Sequence, residues 1–394
     1  MNYKLNPNLN LNLNLNKTTP MLSKYFPHSL IVLSGILLLS ACSEDKGGNP
    51  CESDFDQKSL FANVADNIII PGYSRLNGEL SNLRLATELF AQTPSLPQLD
   101  NLRSAFVDSY TQWQRVAQFE FGPAEEQMLR SRFNNFPVNP QEVEAKVQSG
   151  DFDLSNPDTY DKGFPALDYL LYGIAESDEL VLDLLSNPEK PGYQNYLEAI
   201  VADMEQQGLA VLKGWQEEGY RETFINNTGA AAGASLSLLI NNLNEHYEII
   251  KRDKIGIPSG VTTLGITFPE KVEAYYSGRS LALAEAALKA AEGLYLGRNS
   301  QSGADGPGLD DYLQEVNATK EGQNLSSLIK TQFQKALDAL SLVQAPLSGA
   351  IEGNNERVVN AYNEITRQLV NIKTDMPSVL CVSITYVDNA SDSD

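Results

Sequence analysis

The order of hydrophobic and polar residues is helical almost from end to end. Between residues 102 and 121, Leu102, Phe106, Tyr110, Trp113, Val116 and Ala117 recur at the spacing that lines one helix face, and Gly122-Pro123 marks a stop. Over 231–251 the stripe is Leu236, Leu239, Ile240, Leu243, Tyr247 and Ile250, and Pro258 with Gly260 marks a loop. A third helix is predicted over 269–296. Pro269 suits its first position, Thr267 suits its cap, and Leu281, Ala284, Leu288, Ala291 and Tyr295 form its apolar face. Two more amphipathic helices are predicted over 324–346 and 355–375. Turn formers such as Asn156-Pro157, Asn187-Pro188 and the stretch Asn299 to Gly308 punctuate the chain. Strand-like alternation is scarce, so the pattern predicts an all-α fold.

A weak internal echo divides the chain. Ala166-Leu167-Asp168-Tyr169-Leu170 resembles Leu309-Asp310-Asp311-Tyr312-Leu313, and each follows a long helix and a loop. The expected organisation is two antiparallel helical bundles, 56–229 and 230–388, with an acidic tail over 389–394.

The N-terminal pattern is of another kind. Residues 29–41, SLIVLSGILLLSA, are nearly all apolar but shorter than the roughly 20 residues of a permanent span. Lys24 precedes them, and Leu39-Ser40-Ala41-Cys42 closes them as a lipobox. Residues 1–41 therefore read as a lipoprotein signal peptide, with Cys42 the acylated residue and 42–55 a lipidated tether. The first twenty residues contain the low-complexity run NPNLNLNLNLN, and Met21 would start a conventional signal peptide by itself. Ser43, not Asp, follows the cysteine. The expected location is the cell envelope, anchored by lipid to the outer membrane and periplasmic or surface-exposed.

Composition narrows the partners. The net charge is −22, and cleavage after residue 41 would remove Lys4, Lys17 and Lys24 and no acid, giving −25. Such a chain is not expected to bind nucleic acid, and its membrane contact should come through the lipid. Cys51 and Cys381 bracket the fold. In an oxidising compartment they are a disulfide candidate, worth up to ~5 kcal/mol for so long a loop, or two free thiols.

Histidine restricts the chemistry most. His28 lies in the signal peptide, which leaves His246 as the one histidine of the mature chain. A site with two histidines and a carboxylate cannot be built in one copy, and neither HExxH nor GxSxG occurs. Helical angle puts His246 at the edge of its stripe, half-buried, as a structural histidine or a ligand, with Glu245 opposite. Two acids occupy apolar surroundings: Glu120 on the face of Leu102 and Trp113, and Asp168 inside Phe164–Leu171. Each is costly there unless paired. Arginine or backbone partners, a helix cap, a raised pKa or a hard cation could each explain them.

Several stretches together resemble the imelysin family. They are Trp113-Gln114-Arg115-Val116, Phe119-Glu120-Phe121-Gly122-Pro123, Gly163 to Gly173, Lys254-Ile255-Gly256-Ile257-Pro258, and Val272 to Ser277 with Ser280. The resemblance covers roughly 55–385. It implies an all-α fold of two bundles related by internal duplication, a link to bacterial iron uptake, and a GxHxxE motif that holds a metal between the bundles. Some members are catalogued as metallopeptidases. Here Gly163 matches the glycine, Pro165 stands in place of the histidine, and Asp168 in place of the glutamate. The expectation is a membrane-anchored, non-enzymatic cation- or ligand-binding component associated with iron uptake. Asp168, Glu120, Glu273 and His246 are its candidate ligands, and iron or another hard cation its candidate cofactor. A metallopeptidase and a partner-docking module with a vestigial site are the alternatives.

Overall fold

The computed structural model describes residues 53–386. The signal peptide, Met21, the lipidation site Cys42, most of the tether, Cys51 and the acidic tail lie outside the described residues. Cys381 is disulfide-bonded, and its partner also lies outside them.

Seventeen α-helices lie among the described residues. The first half contains α1 (Gln57–Asn63), α2 (Ile70–Gln92), α3 (Leu96–Val116), α4 (Pro123–Glu126), α5 (Leu129–Phe133) and α6 (Pro140–Ser149). It continues with α7 (Gly163–Tyr172), α8 (Asp178–Leu185), α9 (Gly192–Gln216) and α10 (Tyr220–Asn226). The second half contains α11 (Ser235–Ile249), α12 (Ser280–Tyr295), α13 (Leu309–Glu315), α14 (Leu325–Ser341), α15 (Leu347–Gly353), α16 (Glu356–Leu369) and α17 (Met376–Val379). One hairpin, β1 (Thr319–Lys320) with β2 (Gln323–Asn324), turns through Glu321 and Gly322, both at positive φ as a two-residue turn requires. No helix among the described residues is long and apolar enough to cross a membrane.

In the first half α2 packs on α3 and α9; in the second α14 packs on α16 and α12. The halves meet where α3 lies against α12, and one hydrophobic core runs through both. The stripes of α3 and α11 are buried throughout, from Leu102 to Ala117 and from Leu236 to Ile250. That of α12 is buried from Ala284 to Tyr295, with Leu281 half-buried.

Among the described residues three long helices contain a π turn, and each turn stands at the same distance before a proline. The turns span Val64–Ile69, Ile250–Gly256 and Val370–Asp375, ahead of Pro71, Pro258 and Pro377. A proline inside an α-helix loses one hydrogen bond and strikes the carbonyl four residues back. Widening the preceding turn relieves the clash: Ile70, Ile257 and Met376 each donate to the carbonyl five residues earlier instead. The Asn67 carbonyl, which Pro71 cannot serve, accepts from Asn299 Nδ2 of the other half at 2.7 Å.

Two predicted helices are shorter than expected. The one over 102–121 ends at Val116, so Glu120 is not on it. Phe119 and Phe121 are both buried at a spacing that an α-helix would put on different sides, and Tyr73 Oη donates to the Phe119 carbonyl. The helix expected from 269 starts at Ser280. Only Pro269–Lys271 forms a short 3₁₀ turn, and the chain between is irregular, with Ala274 and Gly278 at positive φ. That irregular segment carries the centre of the candidate site.

Candidate functional site

The junction of the halves holds a closed polar network. Glu273 is 1% exposed and Lys254 2% exposed, and the two form an ion pair. Glu273 Oε1 accepts from Gln114 Nε2 at 3.0 Å and from Asn134 Nδ2 at 2.8 Å. Lys254 Nζ donates to Gln114 Oε1 at 2.9 Å, and Tyr110 Oη donates to Asn134 Oδ1 at 2.6 Å. The first half supplies Tyr110, Gln114 and Asn134; the second supplies Lys254 and Glu273. Lys254 reaches the network from the π turn before Pro258, whose extra residue brings it to the side of the helix that carries His246. Burial pushes the Lys254 ammonium below its usual pKa, and the Glu273 carboxylate opposes that shift.

Asp168 lies on α7 and is 1% exposed. Its Oδ2 accepts from the Tyr276 backbone N–H at 2.9 Å and its Oδ1 from that of Ser277 at 3.1 Å, both from the other half. Burial lifts its pKa from 3.8 to about 6, against these bonds. Gly163 opens α7 at φ +66°, where a Cβ would lie 2.3 Å from the Phe133 carbonyl oxygen. Only glycine fits this backbone approach. Pro165 lies in the first turn of α7, where a missing N–H costs nothing, and its ring is buried.

Glu120 is half-buried and accepts the Arg130 backbone N–H at 3.0 and 3.1 Å. Burial raises its pKa from 4.5 to about 7, partly offset by Arg130. The Arg130 guanidinium pairs with Glu245 of the second half at 2.9 Å.

His246 is not half-buried as its place in the stripe predicted; it is 2% exposed. The apolar stripe of α11 is wide, and the first half covers its edge. Burial, with Arg130 and Lys254 nearby, holds the imidazole well below its usual pKa, so it is neutral. His246 lines a cleft of about 150 Å³ with Trp113, Gln114, Ala117, Arg130, Asp253 and Lys254 among its other walls. Three buried polar atoms of these residues have no hydrogen-bond partner: Trp113 Nε1, Arg130 Nε and His246 Nε2.

The structure therefore brings His246 to the cleft and Glu273 to the network beside it, and it keeps Asp168 and Glu120 on separate backbone partners. Among the described residues no group of three or more His, Cys, Asp or Glu side chains could hold a metal ion. The metal that the resemblance implies does not fit the residues at 163–168. The Pro165 side chain offers no donor atom, both Asp168 oxygens accept N–H groups, and Glu273 already faces an ammonium. Trp113, Gln114, Arg130, Asn134 and Lys254 were missed as site residues. Three of them stand in the stretches that resemble the family, but a tryptophan on an apolar face reads as core.

Fold and junction together define an all-helical protein of two halves with a polar seam between them. The imelysin family profile matches residues 69–372, and the chain belongs to that family. It is similar to iron-regulated protein A of Synechococcus elongatus, 21% identical over 291 residues, which are 72% of this chain and 74% of that one. Two crystal structures share the fold. A candidate iron-regulated protein A precursor from Parabacteroides distasonis superposes with TM-score 0.71 at 17% identity, over 84% of this chain and 96% of that one. An imelysin-like protein from Psychrobacter arcticum gives 0.66 at 18% identity, over 85% and 99%.

Proposed function

We propose that this protein is a lipid-anchored component of the cell envelope that serves iron handling by binding a ligand, without breaking bonds, in the cleft between its halves. The observation that carries this reading is the cleft at the junction of the halves, lined by Trp113, Arg130, His246, Asp253 and Lys254. A concave space between packed helices, with an apolar side and a few polar groups, is where small ligands bind. The name of the Synechococcus relative supplies the connection to iron. The lipobox at Cys42 supplies the anchor. The site does not favour hydrolysis: the carboxylates of Glu120, Asp168 and Glu273 have protein partners, and the neutral His246 has no nucleophile bonded to it.

Complementation tests this. Cells of the source organism that lack the protein are grown under iron limitation with the parent chain, a Cys42→Ser chain or a His246→Leu chain. Only the parent is expected to restore growth, and Cys42→Ser is expected to leave the membrane fraction. Full restoration by a folded His246→Leu chain would remove the cleft from the function.

A further inference from the structure

We propose that Glu144, Tyr169 and Tyr193 form a binding site for a hard trivalent cation such as Fe³⁺, separate from the cleft and sharing no wall residue with it. The three side chains come from α6, α7 and α9, which pack on one another in the first half. Tyr169 Oη donates to Glu144 Oε1 at 2.8 Å, and Tyr193 Oη donates to Glu144 Oε2 at 2.6 Å. All three residues are half-buried, so packing fixes them while solvent still reaches the group. Tyr276 of the second half packs edge-on against the Tyr169 ring, with centroids 5.2 Å apart, and walls one side.

This acid differs from the sealed ones in its partners. Asp168 is held by two backbone N–H groups, and Glu273 by an ammonium and two side-chain amides. The partners of Glu144 are phenol O–H groups, and each becomes an anionic oxygen ligand once its proton leaves. Among the described residues no lysine or arginine pairs with Glu144. Lys146, two residues on, donates to the Asp153 carbonyl instead. The carboxylate is thus half-buried with its charge uncompensated, a costly state that a bound cation relieves.

The donor set selects the ion. All its atoms are oxygen, which suits a hard cation rather than a soft one. Oxygens bound at right angles to a small cation at about 2.0 Å lie about 2.8 Å apart, close to the separations found here. Two phenolates and one carboxylate carry three negative charges, so a trivalent ion leaves the half-buried site neutral and a divalent ion does not. Ligation exchanges protons for metal. Two phenol O–H bonds break, Fe–O bonds form to both phenolates and to the carboxylate, the protons pass to water, and no electron moves. Burial and the Glu144 carboxylate push both phenols above their usual pKa, so they keep their protons until a cation arrives. A bound cation reverses that balance, and acid restores it by returning the protons and releasing the ion.

The test uses the mature protein purified in detergent and titrated with ferric nitrilotriacetate, with Zn²⁺ for comparison. Phenolate bound to Fe³⁺ gives a visible charge-transfer band, so absorbance reports tyrosine ligation and elemental analysis reports the amount of iron. One Fe³⁺ per chain with this band is expected, and acidification should remove both. Tyr169→Phe, Tyr193→Phe and Glu144→Gln should each weaken iron retention by at least about tenfold, with helical circular dichroism unchanged. The double variant Tyr169→Phe/Tyr193→Phe should lose the band. Should a tyrosine variant fail to fold, Glu144→Gln, which keeps the shape and both phenols, carries the test. His246→Leu should keep the band, so this site and the cleft stand or fall separately. The proposal is overturned if no Fe³⁺ binds, if iron binds without the band, if the band survives in the folded double variant, or if Zn²⁺ is held as tightly as Fe³⁺.

Discussion

Two regions share the junction of the halves and use their polar atoms in opposite ways. In the sealed centre, the buried charges Asp168, Glu273 and Lys254 all have partners across the junction. In the cleft beside it, Trp113, Arg130 and His246 each keep a buried polar atom without one. Gln114, Asn134 and Lys254 belong to both, bonded in the centre and lining the cleft. The contrast teaches that a buried acid is not by itself a site. An acid whose lone pairs are taken holds structure together.

Mutation should separate the two regions by stability, and urea denaturation followed by helical circular dichroism measures each case. Lys254→Met should cost most, about 3–5 kcal/mol, because it strands the Glu273 carboxylate. Pairing it with Glu273→Gln should recover part of that loss, since the two side chains form one unit. Gly163→Ala comes next at about 3–4 kcal/mol, because the added methyl meets backbone that cannot yield and sits at positive φ. Asp168→Asn should cost about 2–3 kcal/mol, since an amide can accept only one of the two N–H groups it faces.

Glu120 sharpens the comparison through pH. Its folded pKa, about 7, lies above the ordinary 4.5, so the folded state holds its proton more tightly than the unfolded chain does. This contribution to stability is complete below pH 4.5 and is lost as pH rises through about 7. Glu120→Gln should flatten that decline by about 2 kcal/mol, solvent screening of the half-buried carboxylate reducing the full value. A pH series of unfolding free energies for both proteins checks it. The smallest effect belongs to the cleft. His246→Leu should change stability by less than about 1 kcal/mol, because the ring nitrogen it removes has no partner to lose. A loss as large as that of Asp168→Asn would mean that the two regions do not differ.

Much of the fold was legible because its cause is periodic. The stripes of α3 and α11 follow from spacing alone, and every residue named in them is buried. What stayed hidden depends on contacts distant in sequence. Nothing local ends α3 at Val116; the burial of both Phe119 and Phe121 does. Glu273 read as helical, yet it lies in an irregular stretch next to Ala274 at positive φ, a conformation that its place in the junction imposes. The acids of the candidate site were visible because charges inside apolar runs stand out. Their partners were not, because Asp168 is bonded to backbone N–H groups more than a hundred residues away. Trp113 was read correctly as core, but its unpaired Nε1 is a property of the assembled cleft.

Metal titration tests most directly whether the acids of this junction are structural. The mature protein, purified in detergent without chelator, is titrated with Fe²⁺, Fe³⁺, Zn²⁺, Mn²⁺ and Ca²⁺ by calorimetry, with elemental analysis of the product, alongside Asp168→Asn. We predict no stoichiometric cation binding that depends on Asp168. One equivalent of iron bound by the parent and lost in a folded Asp168→Asn protein would contradict it, and would make the sealed centre the functional site.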